Sequence, residues 1–293
     1  MKPFILFLAL ISSSFVKAEL NIFACEPEWG ALAKELVGEK ADIYIATTAQ
    51  QDPHHIEARP SLLAKARQAN LLICTGAELE IGWLPILLQK TGNKSIQKGE
   101  QGHFMAADFV ELIDKPTKLD RSEGDVHADG NPHIQTDPHH FLQIAQALTQ
   151  RLQIIDPQNA DFYSQQHQSF KNKWNLALQR WEELAKNLKG KRIITHHKSW
   201  EYLIRWLGLE EIATLEPKVG LPPTSGHLAN VLEKAKQNNV QLIVYSNYED
   251  SKAANWLAEK TQIKQIMLPI TVGGTPQAID LESWFDDLLN RLL

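Results

Sequence analysis

The feature that most constrains this fold lies in its middle. From Pro157 to Leu188 the chain keeps one helical pattern, with Phe162, Phe170, Trp174, Leu178, Trp181, Leu184 and Leu188 falling on its apolar side and Gly190 as a stop signal. At about 1.5 Å per residue, a single helix over that span is roughly 45–50 Å long, longer than a compact domain needs. Such an element acts as a spine between two lobes.

On both sides of the spine, strands alternate with helices, the signature of parallel βαβ units and an α/β fold. Before it come strand 21–25, helix 29–37, strand 41–47, helix 62–68 and strand 71–75. After it come strand 192–195, helices 200–207 and 228–237, strand 242–245, helix 253–260, strand 265–268 and a terminal helix 281–292. The polar, Gly-containing stretch from about Lys90 to Pro138 reads as loops with short elements. The expected organisation is residues 1–18 as a signal peptide, 19–150 as a first lobe, 151–189 as the spine and 190–293 as a second lobe. No internal repeat is strong enough to make the lobes copies of one another.

The signal peptide follows from Lys2, the apolar run Phe4 to Ile11, and the small residues that lead to a cut after Ala18. The run is too short and too broken by serines to span a bilayer. Export matters for the 2 cysteines, Cys25 and Cys74, each at the end of an apolar strand. Outside the cytoplasm they form either a disulfide or a pair of small buried residues. The 35 Asp and Glu against 30 Lys and Arg leave a formal charge of −5, which gives no basic field for a nucleic-acid backbone.

The chain carries 11 histidines. Side chains that serve a site in a parallel α/β sheet belong at the carboxyl ends of strands, and several histidines fall there. His54 and His55 follow strand 41–47, His196 and His197 directly follow strand 192–195, and His133 lies in a first-lobe loop. His54, His133 and His197 sit 79 and 64 residues apart, without a local His-Glu-x-x-His motif, so they make a metal site only if the fold brings them together. The segment from Asp125 resembles the start of a calcium loop, but its twelfth position is Thr136. Neither Gly-x-Ser-x-Gly nor a phosphate-binding Gly-Lys-Ser/Thr loop is present.

Three segments together resemble the metal-specific solute-binding proteins of ABC transporters, cluster A-I, and within it the zinc-binding branch. Asp52-Pro53-His54-His55, with Pro60-Ser61 six residues after His54, is similar to the family's first ligand segment. Asn131-Pro132-His133-Ile134-Gln135-Thr136-Asp137-Pro138 is similar to the second, Asp-Pro-His-x-Trp-x-Asp-Pro, with Asn131 and Gln135 departing from it. His197, followed by Trp200 and Tyr202, resembles the third. The resemblance implies two α/β lobes joined by one rigid helix, with the metal in the cleft between them.

It also implies a periplasmic monomer that captures Zn2+ through His54, His133 and His197 and delivers it to an ABC-type permease in the inner membrane. Many members supply the fourth ligand just after the last strand, where this chain has no carboxylate, and some zinc-binding relatives instead use an acidic residue downstream of the third His; the resemblance gives that place to Glu216, nineteen residues after His197, which is otherwise an exposed loop carboxylate. Water, Asp280 and Glu249 are the alternatives. The long His- and Asp-rich loop of many zinc-binding members is reduced here to His103, Asp125, His127 and Asp129, either a short capture loop or a solvated one. His55, His139, His140 and His196 stand as auxiliary ligands or solvated neighbours. Three imidazoles suit Zn2+ better than Ca2+ or Mg2+. A manganese or other divalent-metal carrier of the same family, and a secreted zinc-dependent hydrolase with Glu216 as general base, are the competing readings.

Overall fold

The computed structural model describes residues 20–116, 124 and 127–293. The expected signal peptide and Asp125 lie outside them.

The first lobe begins with β1 (Leu20–Ala24), followed by α1 (Pro27–Val37), β2 (Ala41–Ile45), α2 (Pro60–Gln68), β3 (Leu71–Cys74), α3 (Leu84–Thr91) and β4 (His103–Met105). These strands form a parallel sheet in the order β2-β1-β3-β4. Two long helices come next, α4 (His140–Ile155) and α5 (Ala160–Ala185). The second lobe is β5 (Arg192–Thr195), α6 (Glu201–Leu207), β6 (Glu210–Thr214), α7 (Ser225–Gln237), β7 (Leu242–Ser246), α8 (Lys252–Thr261), β8 (Lys264–Leu268) and α9 (Leu281–Leu292). Its sheet is again parallel, in the order β6-β5-β7-β8. The protein is therefore two parallel-sheet α/β lobes, and they share one strand order although their sequences show no repeat.

The long helix is shorter than its apolar pattern predicts. α5 has 26 residues, about 39 Å at the α-helical rise, and Pro157–Asn159 forms a separate 3-10 turn ahead of it. Residues 151–155 of the expected spine belong to α4. The break lies at Asp156-Pro157, because the residue before a proline is pushed away from helical backbone. Asp156 then takes hydrogen bonds from the Asn159 amide (2.5 Å) and the Tyr163 hydroxyl (2.6 Å), which fixes the corner.

Four elements go beyond the expected pattern: α3, β4, α4 and β6. Inside the stretch expected to be loops, β4 is only three residues long. β6 reads Glu-Glu-Ile-Ala-Thr because it is an edge strand with no fully buried position.

The lobes meet in one continuous core. Phe141 of α4, Trp174 and Trp181 of α5, and Trp284 and Phe285 of α9 stack in a chain of ring contacts between 4.6 and 6.3 Å. Such pairs each add about 0.5–1.5 kcal/mol beyond the burial itself. Their indole N–H groups stay satisfied: Trp174 donates to Pro138 O (2.8 Å), Trp181 to Asp286 Oδ1 (2.6 Å) and Trp284 to Pro269 O (2.7 Å). The C-terminal helix thus packs against α5 and against α1 of the first lobe.

Cys25 and Cys74 form a disulfide with a Cα separation of 4.8 Å. They end neighbouring strands, which the Cys25 N–H ties together by bonding Ile73 O (2.8 Å). Among the described residues no helix is long and apolar enough to cross a membrane.

Candidate metal centre

The strand ends of both sheets face one cleft, and the histidines collect there. His54 follows β2, His133 follows β4 just ahead of α4, and His197 directly follows β5. One nitrogen from each lies within 4.8 Å of the other two. Their ring centroids are 5.4, 5.8 and 5.6 Å apart, and the rings meet edge to face. In a tetrahedral zinc shell with bonds of about 2.0–2.1 Å, ligand nitrogens sit about 3.3 Å apart, so an ion draws these three inward by at most about 1.5 Å per pair. The other clustered group found among the described residues, Cys25, Cys74 and Glu80, is closed to a metal because its sulfurs form the disulfide.

Two of the imidazoles are held from behind by carboxylates. His54 Nδ1 pairs with Asp52 Oδ1 at 2.7 Å, and the same oxygen accepts the His54 backbone N–H at 3.0 Å. Asp52 stays below the usual carboxylate range: burial pushes it up, but the hydrogen bonds and charge of His54 outweigh that. His197 Nδ1 pairs with Glu216 Oε2 at 2.7 Å. Burial works against a proton on His197, yet the bond and charge of Glu216 overcome it and leave its pKa raised. With Nδ1 occupied, each ring turns Nε2 toward the centre, as in carboxylate–histidine–metal arrangements generally.

The third imidazole differs. His133 is 2% exposed, and neither ring nitrogen has a hydrogen-bond partner among the described residues. Burial, and then the neighbouring rings of His54, His197 and His127, drive its pKa well down, so it stands neutral with a lone pair ready for a cation. Its backbone is fixed by Asn131, whose Oδ1 accepts the His133 N–H (3.0 Å) while its Nδ2 donates across the cleft to Lys198 O (2.9 Å). The Asn at this position, in place of the family's Asp, supplies that interlobe donor. Tyr202 of α6 adds a second tie by donating to Asn131 O (2.7 Å).

Glu216, the expected fourth ligand, lies beside the trio rather than in it. Its backbone N–H bonds His196 O (3.2 Å), which sets the residue behind His197, and its Oε2 also accepts the Gly220 N–H (2.8 Å). Of the alternatives, Asp280 caps α9 by accepting the Ser283 N–H (2.8 Å). Glu249 accepts the Ser246 N–H (2.6 Å), and burial pushes its carboxyl up to about 7.

From the reduced loop, His127 comes to the centre, its ring 5.3 Å from that of His54. His103 bonds Ile96 O (3.0 Å) and, with Asp129, lines a separate cavity. His127, Asn131, His133, His197 and Glu216 line an open pocket of about 310 Å³ above the trio. Asp52 is a functional residue that no motif in the sequence marks as one. The signal was its place two residues before His54, close enough for one carboxylate to reach both backbone and ring.

The family described as "Zinc-uptake complex component A periplasmic" (ZnuA) matches residues 22–293. The chain belongs to this family. Two relatives resemble the chain over most of their lengths. The high-affinity zinc uptake system protein ZnuA of Bacillus subtilis (strain 168) is 22% identical over 265 residues, which is 89% of this chain and 81% of that protein. The manganese ABC transporter substrate-binding lipoprotein PsaA of Streptococcus pneumoniae is 25% identical over 263 residues, 86% of this chain and 80% of that protein. A ZnuA crystal structure superposes with a TM-score of 0.77 at 19% identity, over 94% of this chain and 100% of that one, a likeness of fold.

Proposed function

We propose that this protein is the periplasmic binding component of an ABC-type metal importer, and that its cargo is Zn2+. The observation that carries the reading is the convergence of His54, His133 and His197, from three distant segments, at the strand ends of two lobes. Zinc enters through the pocket above the trio and is bound by three imidazoles, His54 and His197 through Nε2. Glu216 acts on His197 as Asp52 acts on His54, as the carboxylate that orients the ring. The fourth position faces the pocket, where His127 and solvent meet.

Relatives named for zinc and for manganese both match the chain, so the donor set argues for the metal. Three borderline-soft nitrogen donors favour zinc over manganese, which prefers carboxylate and water oxygens. The cleft position lets the site close around an ion and open when the lobes part at a permease. Export through residues 1–18 fits the Cys25–Cys74 disulfide, which persists in an oxidising compartment.

The test is zinc titration of the purified protein against a competing chelator, beside the same titration with Mn2+. The reading requires one tight zinc equivalent, lost in His54→Ala, His133→Ala and His197→Ala and far weaker for manganese. Full zinc affinity in all three variants contradicts it.

A further inference from the structure

The tetrapeptide Asp-Pro-His-His occurs twice, at 52–55 and 137–140, and the fold gives both copies the same local geometry. In the first copy Asp52 Oδ1 accepts the His54 N–H (3.0 Å) and meets His54 Nδ1 (2.7 Å), with His55 Nε2 4.0 Å from Asp52 Oδ2. In the second, Asp137 Oδ1 accepts the His139 N–H (2.9 Å) and meets His139 Nδ1 (2.7 Å), with His140 Nε2 4.0 Å from Asp137 Oδ2. The turn is a device for presenting Nε2 of its first histidine. In the cleft that atom is His54 Nε2. At the surface it is His139 Nε2, and its purpose there is unassigned.

His139 Nε2 does not point into empty solvent. Glu182 of α5 places Oε1 3.2 Å from it, and Trp206 of α6 holds that same oxygen through its indole N–H at 2.7 Å. We propose that His139 Nε2 and the Glu182 carboxylate form a second site for a borderline divalent cation such as Zn2+, with Asp137 and Trp206 as the groups that orient them.

The spacing supports this. The two groups form an ion pair at 3.2 Å, a separation close to the edge of a tetrahedral zinc shell, about 3.3 Å, so an ion that replaces the shared proton finds both donors in place. Each donor has its own orienting partner, the arrangement that tunes metal sites elsewhere. With 43% of the His139 side chain and 49% of the Glu182 side chain exposed, water completes the shell.

Two effects keep this site weaker than the cleft site. It offers two protein donors against three, and His139 stands at the N-terminal end of α4, whose dipole opposes a cation. Its position on the joining helices makes it a surface holding place for ions, separate from the cleft. It does not depend on the identity of the cleft cargo.

The test is equilibrium dialysis of the metal-free protein, without an added histidine tag, against increasing zinc chloride. The proposal expects two equivalents in the wild type, the second at least 100-fold weaker than the first. His139→Ala and Glu182→Gln lose only the weak equivalent, and the triple variant His54→Ala, His133→Ala, His197→Ala keeps only the weak one. Saturation of the wild type at one tight equivalent overturns the proposal, as does a weak equivalent that survives both His139→Ala and Glu182→Gln. A wild type that binds only the weak equivalent, sensitive to His139→Ala, contradicts the cleft reading and supports this one.

Discussion

The two lobes build the same sheet and use its strand ends differently. Within each lobe the second strand lies outside the first, followed by the third and fourth. After the first strand, the N-terminal lobe carries Cys25 and the buried Glu26, where the C-terminal lobe carries His196 and His197. After the second come Asp52 and His54 in one lobe and Glu216 in the other. After the third, Glu80 accepts the N–H groups of Thr75 (2.7 Å) and Gly76 (3.1 Å), and Glu249 accepts that of Ser246 (2.6 Å). Burial pushes both of those carboxyls up to about 7. The lesson is that parallel topology decides where functional groups sit, and local sequence decides which groups they are. The N-terminal lobe brings two imidazoles and a covalent staple; the C-terminal lobe brings one imidazole and the carboxylate that steers it.

The largest expected effect tests whether the lobes contribute jointly. His133→Ala and His197→Ala, one from each lobe, each lower zinc affinity by at least about 100-fold in chelator competition, since losing a ligand exceeds losing its outer partner. If only the first-lobe variants matter, the ion does not bridge the cleft.

Next is the staple. Cys25→Ser with Cys74→Ser removes a link across 49 residues and costs about 2–5 kcal/mol of stability. Calorimetry is expected to show a lower Tm, with faster hydrogen exchange in β1 and β3 than in β5 and β7. Equal acceleration in both lobes breaks the asymmetry.

Smaller still are the outer carboxylates. Asp52→Asn and Glu216→Gln are each expected to weaken zinc binding by about 10–100-fold with the metal-free Tm little changed. Unequal losses rank the two lobes' hold on the ion. An unchanged affinity in Glu216→Gln removes it from the site.

The smallest effect concerns pH. Glu80 and Glu249 rise from the ordinary 4.5 to about 7 in the fold, so the folded state holds protons that the unfolded chain releases. Their stabilisation is complete below pH 4.5 and is lost as pH rises through about 7. Metal-free protein is therefore expected to melt higher at pH 6 than at pH 8. Glu80→Gln and Glu249→Gln each flatten that profile. A flat wild-type profile contradicts the buried-acid account.

Much of this was legible in the sequence. The alternation of strands and helices, and the apolar stripe of α5, pointed to two parallel-sheet lobes because burial periodicity survives in the residues themselves. β6 escaped because an edge strand exposes Glu210 and half-exposes Glu211, and β4 because three residues carry no period. α4 is different: Phe141, Ile144, Ala145, Leu148 and Leu152 recur at helical steps and are all buried, so its period is carried by the sequence itself. At the site, the histidines were visible as residues at strand ends. The place of Glu216 depended on a backbone bond from Glu216 N to His196 O, and the role of Asp52 on a turn that wraps its carboxylate around His54. Such contacts are made by loop geometry, which residue type alone does not reveal.

The central claim is that one zinc ion is held by imidazoles from both lobes. X-ray absorption at the zinc edge, on protein loaded with one equivalent, tests it most directly. The account predicts three imidazole nitrogens at about 2.0–2.1 Å and one further light donor, with one imidazole's scattering lost in His197→Ala. A shell containing sulfur at about 2.3 Å, or one of oxygen donors without imidazole scattering, contradicts it.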